Sequence, residues 1–288
     1  MAQHVKMSNI FEKVLQMVDP SLSLPYWDFT IESQARSFIY ESPVMSSDMF
    51  GSMKIPDTTD KDIGYTYARN NITDFAILDG RWAYAKAEFN PAKFPDLYGG
   101  YGYMRSPWNM NPSPYVTRFT GTSFLPTCAS HMNMLSYTDM MDFMIELEVA
   151  PHAGLHGVTG GTYGCELFDP LLAAGAITDE DNKMMICKLW IFTLKSLYRK
   201  NMIHATEGCV VADNVQDSFC PLDCEKGQDY AIKSLLLDNL INKRVPSGMS
   251  SDNQDMWLNF VCGGDAARIF SGDHGESASP SDPSFWPM

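Results

Sequence analysis

The sequence lacks several features that would assign it to common functional classes. No run approaches the roughly 18 uninterrupted apolar residues of a membrane helix, and residues 1–10 contain no apolar segment typical of a secretory signal. Basic residues are also scarce, since 21 lysines and arginines stand against 35 aspartates and glutamates, giving a net charge of −14. The sequence therefore predicts no membrane-spanning segment and no nonspecific binding to nucleic acid.

The cysteines lack a paired Cys-x-x-Cys arrangement, so a structural zinc ribbon is not expected. Cys209, Cys220 and Cys224 lie among turn-forming residues, which indicates a loop held by disulfides, with Cys262 as a candidate partner. The alternative is that the cysteines are small buried hydrophobic residues in a reducing compartment. The glycosylation sequon Asn71-Ile72-Thr73 favours an oxidising compartment, and with it a secreted or luminal location.

Hydrophobic residues make up 45% of the 288 residues and charged residues only 19%, which predicts a globular protein with a sizeable core. Apolar residues spaced by three and four positions predict helices, whereas the long stretch 40–130 is rich in glycine, proline and asparagine and predicts irregular loops. The fold is therefore expected to be mostly α. The predicted helices cover about 5–18, 139–148, 179–200 and 229–242, and Pro151 is expected to open a further helix.

Two histidines occur at a spacing that suits metal binding. His152 and His156 are four residues apart, so on a helix both imidazoles project from one face and can bind one ion. Imidazole pairs favour copper, zinc, iron or nickel over magnesium and calcium. The alternative is a helix-end pair that hydrogen-bonds to the backbone. His4 lies on the apolar stripe of the first predicted helix, where a core histidine is the usual interpretation.

The segment Leu24-Pro25-Tyr26-Trp27-Asp28 follows the first helix and resembles the tyrosinase family of type-3 copper proteins, which includes catechol oxidases and molluscan-type haemocyanins. His4, seven positions before Phe11, corresponds to the family's third ligand of the first copper. Residues 151–161, with His152 and His156, resemble the segment carrying the first two ligands of the second copper. Residues 282–288 resemble the Asp-Pro-x-Phe-Trp stretch that precedes the last ligand.

The resemblance implies a four-helix-bundle domain that binds two copper ions through six histidines. Residues 1–288 would form part of this domain, with the first-copper helix at about 1–18, the second-copper helix at about 151–161, and a helical, cysteine-containing insertion at about 165–270. The metal ligands expected within the sequence are His4, His152 and His156. The other three would lie outside it, so the segment is expected to be a fragment.

The implied activity is oxidation of phenols, chiefly ortho-diphenols, to ortho-quinones with dioxygen. Ala153 follows His152, where some family members that hydroxylate monophenols carry asparagine, so this departure counts against monophenol activity and leaves the choice between monophenols and diphenols open. A haemocyanin-like oxygen-binding protein and a copper-free interaction protein of the same fold are the alternatives. Trp27 and Asp28 are expected to be structural. His131, His204 and His274 are expected to be surface or core residues, with His204 as a reserve ligand.

Overall fold

The computed structural model describes residues 2–35, 38–53, 76–90, 99–118, 125–206, 220–236 and 248–288. This part of the chain is mostly helical, as the sequence predicts, and it contains only short strands. No helix in these ranges is long and apolar enough to cross a membrane. The helices are α1 (Ala2–Val18), α2 (Thr30–Ala35), α3 (Cys128–Met134), α4 (Met140–Leu147), α5 (Gly154–Gly160), α6 (Asp169–Ala173), α7 (Glu180–Arg199), α8 (Asp229–Leu236) and α9 (Ser251–Cys262).

The strands form two antiparallel pairs. Strand β1 (Thr162–Tyr163) pairs with β4 (Phe270–Ser271), and β2 (Ile203–Ala205) pairs with β3 (Leu222–Cys224). The first pair joins the end of α5 to the C-terminal segment, because Thr162 lies opposite Ser271. Residues 273–285 then continue as three short 3-10 turns beside α5. The described parts of 40–130 contain 3-10 turns and isolated bridges but no long helix or strand, as expected.

Most of the predicted helices occur where the apolar spacing places them. The Asp179 side chain accepts a hydrogen bond from the backbone N–H of Asn182 and caps α7. Asp139 caps α4 in the same way, through the N–H groups of Met141 and Asp142. Helix α8 begins at Asp229 as predicted, although residues 237–242 of the predicted helix lie outside the described residues.

The prediction that Pro151 opens a new helix is wrong. Residues Glu148–Ala153 form one π-helical turn that continues α4 directly into α5, with Pro151 inside it. Proline has no N–H to donate and its ring crowds the preceding turn, so an α-helical ladder is disrupted at that point. A π-turn is a widened helical turn of the kind often found at functional sites, and here it carries His152.

Buried apolar residues form two clusters. The larger one contains residues of α6–α9 and their connections, with Phe168, Trp190, Trp257 and Phe260 packed ring against ring. Most of it comes from residues 165–270, which the sequence predicts to be an insertion; that origin stays a prediction. The smaller cluster joins Trp27 to Leu155 and Val158 of α5, the helix that also contains His156.

Two disulfides whose cysteines are both among the described residues lie in the region of the larger cluster. Cys224–Cys262 confirms Cys262 as the partner of the cysteine-rich loop, whereas Cys165–Cys187 was not predicted. Cys220 is also disulfide-bonded. Cys209 and the sequon at 71–73 lie outside the described residues. The alternative of reduced, buried thiols is therefore wrong for these bonded cysteines, and among the described residues the exposed Cys128 is the free one.

Candidate metal centre

The sequence motifs at the two ends of the chain meet in space. The Phe11 ring of α1 stacks on Trp286, with ring centroids 3.8 Å apart and an interplanar angle of 17°. The backbone N–H of Trp27 donates to the Pro287 carbonyl. Glu12 accepts a hydrogen bond from the N–H of Leu24 at 2.9 Å, which ties α1 to the segment that follows it. Residues 4–29 and 282–288 are thus one packed unit.

The histidine segment packs against the same unit. Leu155 and Val158 of α5 share the smaller buried cluster with Trp27. The Phe285 ring lies beside His156 of the same helix, and the centroids of the two rings are 6.3 Å apart. All three motif segments therefore converge, although more than a hundred residues separate each from the next.

The imidazole of His152 is oriented by the π-turn. Its Nδ1 hydrogen-bonds to the carbonyl oxygen of Glu148, four residues earlier, at 3.1 Å. A carbonyl only accepts, so Nδ1 carries the proton and Nε2 of the neutral ring presents a lone pair. A histidine whose other nitrogen is hydrogen-bonded in this way is the arrangement usually seen in metal ligands.

His156 is oriented in the same sense by a different partner. Its Nδ1 donates to the carbonyl oxygen of His274 at 2.6 Å, so its Nε2 also presents a lone pair. Burial lowers the pKa of His156, and the positive charges that His152 and His4 can carry lower it further, against the opposing effect of the His274 hydrogen bond. The neutral form that a metal ligand requires is therefore favoured.

The two free lone pairs face each other, with Nε2 of His152 and Nε2 of His156 3.0 Å apart. Two acceptors at this distance repel each other unless a proton or a cation lies between them. Two nitrogens bound to one ion at about 2.0–2.1 Å are about 2.8–3.4 Å apart for bond angles of about 90–110°. The pair therefore fits two neighbouring ligand positions of one transition-metal ion.

His4 lies at the edge of this pair. Its ring centroid is 6.1 Å from that of His152, so α1 brings the third predicted ligand beside the other two. Within the described ranges, no group of three or more histidine, cysteine, aspartate or glutamate side chains has an arrangement that could hold a metal ion. The centre therefore consists of a two-histidine pair with His4 adjacent, and the assignment of His4 to a second copper stays a prediction.

His274 has a role that its sequence context does not predict. The sequence predicts an ordinary surface or core residue; His274 is indeed fully buried, but its backbone carbonyl also accepts the hydrogen bond that orients His156. Burial lowers the pKa of His274 to about 4, although the nearby Asp282 carboxylate acts in the opposite direction. The one available signal was the Asp282-containing motif, because that carboxylate is linked to the His274 ring through Ser284.

The remaining candidates have structural roles. Trp27 is buried and its indole N–H donates to Glu32 at 3.0 Å, while Asp28 accepts from the Thr30 N–H at 3.2 Å at the start of α2. Both match the structural roles expected of them. The reserve ligand His204 pairs on β2 with Glu225, 2.9 Å away, and His131 lies beside Phe29.

Comparison with known proteins adds no assignment. No protein-family model matches the chain, and no curated protein sequence matches it. The likeness to type-3 copper proteins rests on the motifs quoted above.

Proposed function

We propose that this chain is part of a copper-dependent phenol oxidase domain that oxidises ortho-diphenols to ortho-quinones. The observation that carries the proposal is the His152–His156 pair, in which both Nδ1 atoms are held by backbone carbonyls and both Nε2 lone pairs converge at 3.0 Å. Further support comes from the convergence of the three motifs around this pair, in the order typical of the tyrosinase family.

Copper is the metal that best suits both the ligands and the resemblance. Imidazole is a good ligand for copper in both of its common oxidation states, and it is neutral at working pH. A bound copper centre would carry electrons from the phenol to dioxygen. In the balanced reaction two diphenols each lose two electrons and two protons, and one dioxygen becomes two water molecules.

The protein's own residues supply the geometry of this centre. His152 and His156 would hold one copper, and His4 would contribute to the other from α1. In the complete domain, α1 and the continuous α4–α5 run would form part of a four-helix bundle, whose core is a suitable place for ligands from facing helices. The residue after His152 is Ala153, which offers no polar group to deprotonate a monophenol, so diphenols are the expected substrates.

The 288-residue chain holds three of the six expected ligands, so by itself it is expected to bind copper weakly and to turn over no phenol. The proposal is therefore tested on the complete domain, which is loaded with Cu²⁺ or with redox-inactive Zn²⁺ before oxygen consumption with catechol is measured. We expect the zinc-loaded protein to be inactive, and the copper-loaded protein to consume oxygen above the rate of free copper at the same concentration. Reversible oxygen binding without catechol turnover would instead indicate the haemocyanin-like alternative. Failure to bind either metal would indicate a copper-free protein of the same fold and would overturn the proposal.

A further inference from the structure

The position of one backbone oxygen determines how the His156 ring is oriented. His156 Nδ1 donates to the His274 carbonyl at 2.6 Å. The single proton of the Ser279 hydroxyl is shared between the same oxygen, 3.1 Å from Oγ, and the closer carbonyl of Glu276. The Nε2 lone pair of His156 points to His152 only while this carbonyl stays where it is. Interactions that fix the backbone of His274 therefore also fix the direction of the His156 Nε2 lone pair.

The ring of His274 is tied into the interior by a short chain of hydrogen bonds. Its Nε2 lies 3.0 Å from the Ser284 hydroxyl oxygen, and that hydroxyl donates to Asp282 at 2.7 Å. An ionised carboxylate only accepts, so the hydroxyl must accept from His274 Nε2–H. His274, whose backbone carbonyl orients His156, is thus connected to Asp282 through its own side chain and Ser284.

Asp282 is itself held by a buried arginine. Arg118 binds both carboxylate oxygens, with Nε and Nη2 each 2.6 Å from an oxygen, and its Nη1 donates to the Phe50 carbonyl at 2.7 Å. The two side chains are 2% and 0% exposed. Although burial alone would raise it, the positive charge of Arg118 lowers the pKa of Asp282, so the carboxylate stays ionised. Bidentate pairs of this kind fix direction as well as distance.

A second buried pair holds the residue immediately before His274. Arg105 binds both oxygens of Asp273 at 2.7 and 3.0 Å. The N–H of Thr117 also donates to Asp273 at 2.8 Å, and the Asp273 N–H donates back to the Thr117 carbonyl at 3.0 Å. Because Thr117 and Arg118 are neighbours in the chain, one segment fixes the backbone on both sides of His274.

We propose that Ser279, Ser284 and the Arg118–Asp282 pair are positioning residues for His156. They hold the His274 carbonyl where it keeps His156 protonated on Nδ1 and turns Nε2 toward the metal. This inference rests on the proposed metal site, and it goes beyond the resemblance, which assigns no role to these side chains. Outer hydrogen-bond partners of this kind typically change metal affinity by about 10- to 100-fold when they are removed.

The test uses Ser279→Ala and Ser284→Ala, with Ser33→Ala as the matched control. Ser33 is likewise buried, and its hydroxyl donates to a carbonyl, that of Leu125 at 2.8 Å, outside the His274 network. Two quantities are measured for each variant. One is the dissociation constant for Cu²⁺ by competition with a chelator, and the other is the protonated nitrogen of His156, by ring ¹⁵N NMR of the metal-free protein.

We expect both network variants to weaken Cu²⁺ binding by about tenfold or more and to shift His156 toward the Nε2–H form, while Ser33→Ala changes neither. Wild-type affinity and tautomer in both network variants would overturn the inference, as would an equal loss in Ser33→Ala. If the complete domain binds no Cu²⁺, the proposed function fails by itself. The NMR result then decides the positioning role alone, and an unchanged His156 tautomer refutes it.

Discussion

Nε2 of His152 and Nε2 of His156 lie 3.0 Å apart because each ring is held from behind by a backbone carbonyl. His152 donates to the carbonyl of Glu148 in the same helical run, and His156 donates to the carbonyl of His274 in the C-terminal segment. Two neutral imidazoles in this arrangement need a cation or a shared proton between them.

Removing either imidazole is expected to weaken Cu²⁺ binding by the His152–His156 pair. His152→Ala and His156→Ala should each raise the dissociation constant for Cu²⁺ by at least about 100-fold, since a two-ligand position becomes a one-ligand position. His131→Ala is the matched control, because that histidine also lies on a helix but outside the pair. Chelator competition measures all three, and unchanged affinity in the His156 variant would contradict the assignment.

The free energy of unfolding should fall as the pH is lowered from about 6.5 to about 4, because His274 is held neutral in the folded protein. Its pKa is about 4 in the folded protein and near 6.5 when unfolded, so the unfolded chain binds the extra proton more readily as the pH falls. The full effect is about 3 kcal/mol. The lowered pKa of His156 adds a contribution of the same sign. Urea unfolding at several pH values checks this, and a flat profile from pH 7 to pH 5 would refute it.

Asp282 should behave differently from His274 in its pH dependence. Its pKa is lowered in the folded protein, so its stabilising contribution is present above about pH 4 and is lost only as the pH falls below that value. The two groups therefore act in separate ranges. In an Asp282→Asn variant, the free energy of unfolding should still decline as the pH is lowered from 6.5 to 4. The further decline below pH 4 should be absent.

Breaking the buried Arg118–Asp282 pair should lower the free energy of unfolding far more than breaking a surface ion pair. Asp282→Asn leaves a buried guanidinium without its partner, for which about 3–5 kcal/mol of unfolding free energy is expected. The matched substitution Asp255→Asn, in the more exposed Lys233–Asp255 pair, should cost about 1 kcal/mol or less. Denaturant unfolding compares the two, and similar costs would contradict the structural role given to Asp282.

The disulfides should stabilise the part of the fold that contains the larger cluster. Cys224–Cys262 closes a sequence separation of 38 residues, so replacing both cysteines by serine should cost about 3–4 kcal/mol through the greater freedom of the unfolded chain. Cys128→Ser should leave the unfolding temperature unchanged, since that cysteine is exposed and unbonded. A melting temperature that the paired substitution does not lower would refute the stabilising role.

Local sequence patterns were sufficient to predict much of the helical structure. The apolar spacing of 179–200 and the cap at Asp179 predicted α7, and the spacing of four between His152 and His156 predicted the facing imidazoles. The π-turn could not be predicted in this way, because the pattern of apolar residues does not distinguish a proline that begins a helix from one accommodated inside it. Helix α9 was missed because its first turns are polar.

By itself, the sequence determined which residues are candidate metal ligands and where most of the helices lie, since both follow from residue type and from spacing over a few positions. Only the tertiary structure decided what holds those residues in place. The His274 carbonyl reaches His156 across 118 positions, and Arg118 reaches Asp282 across 164. Such contacts depend on how distant segments pack. Every residue has a backbone carbonyl, so no sequence pattern shows which carbonyl will accept a hydrogen bond from a distant side chain.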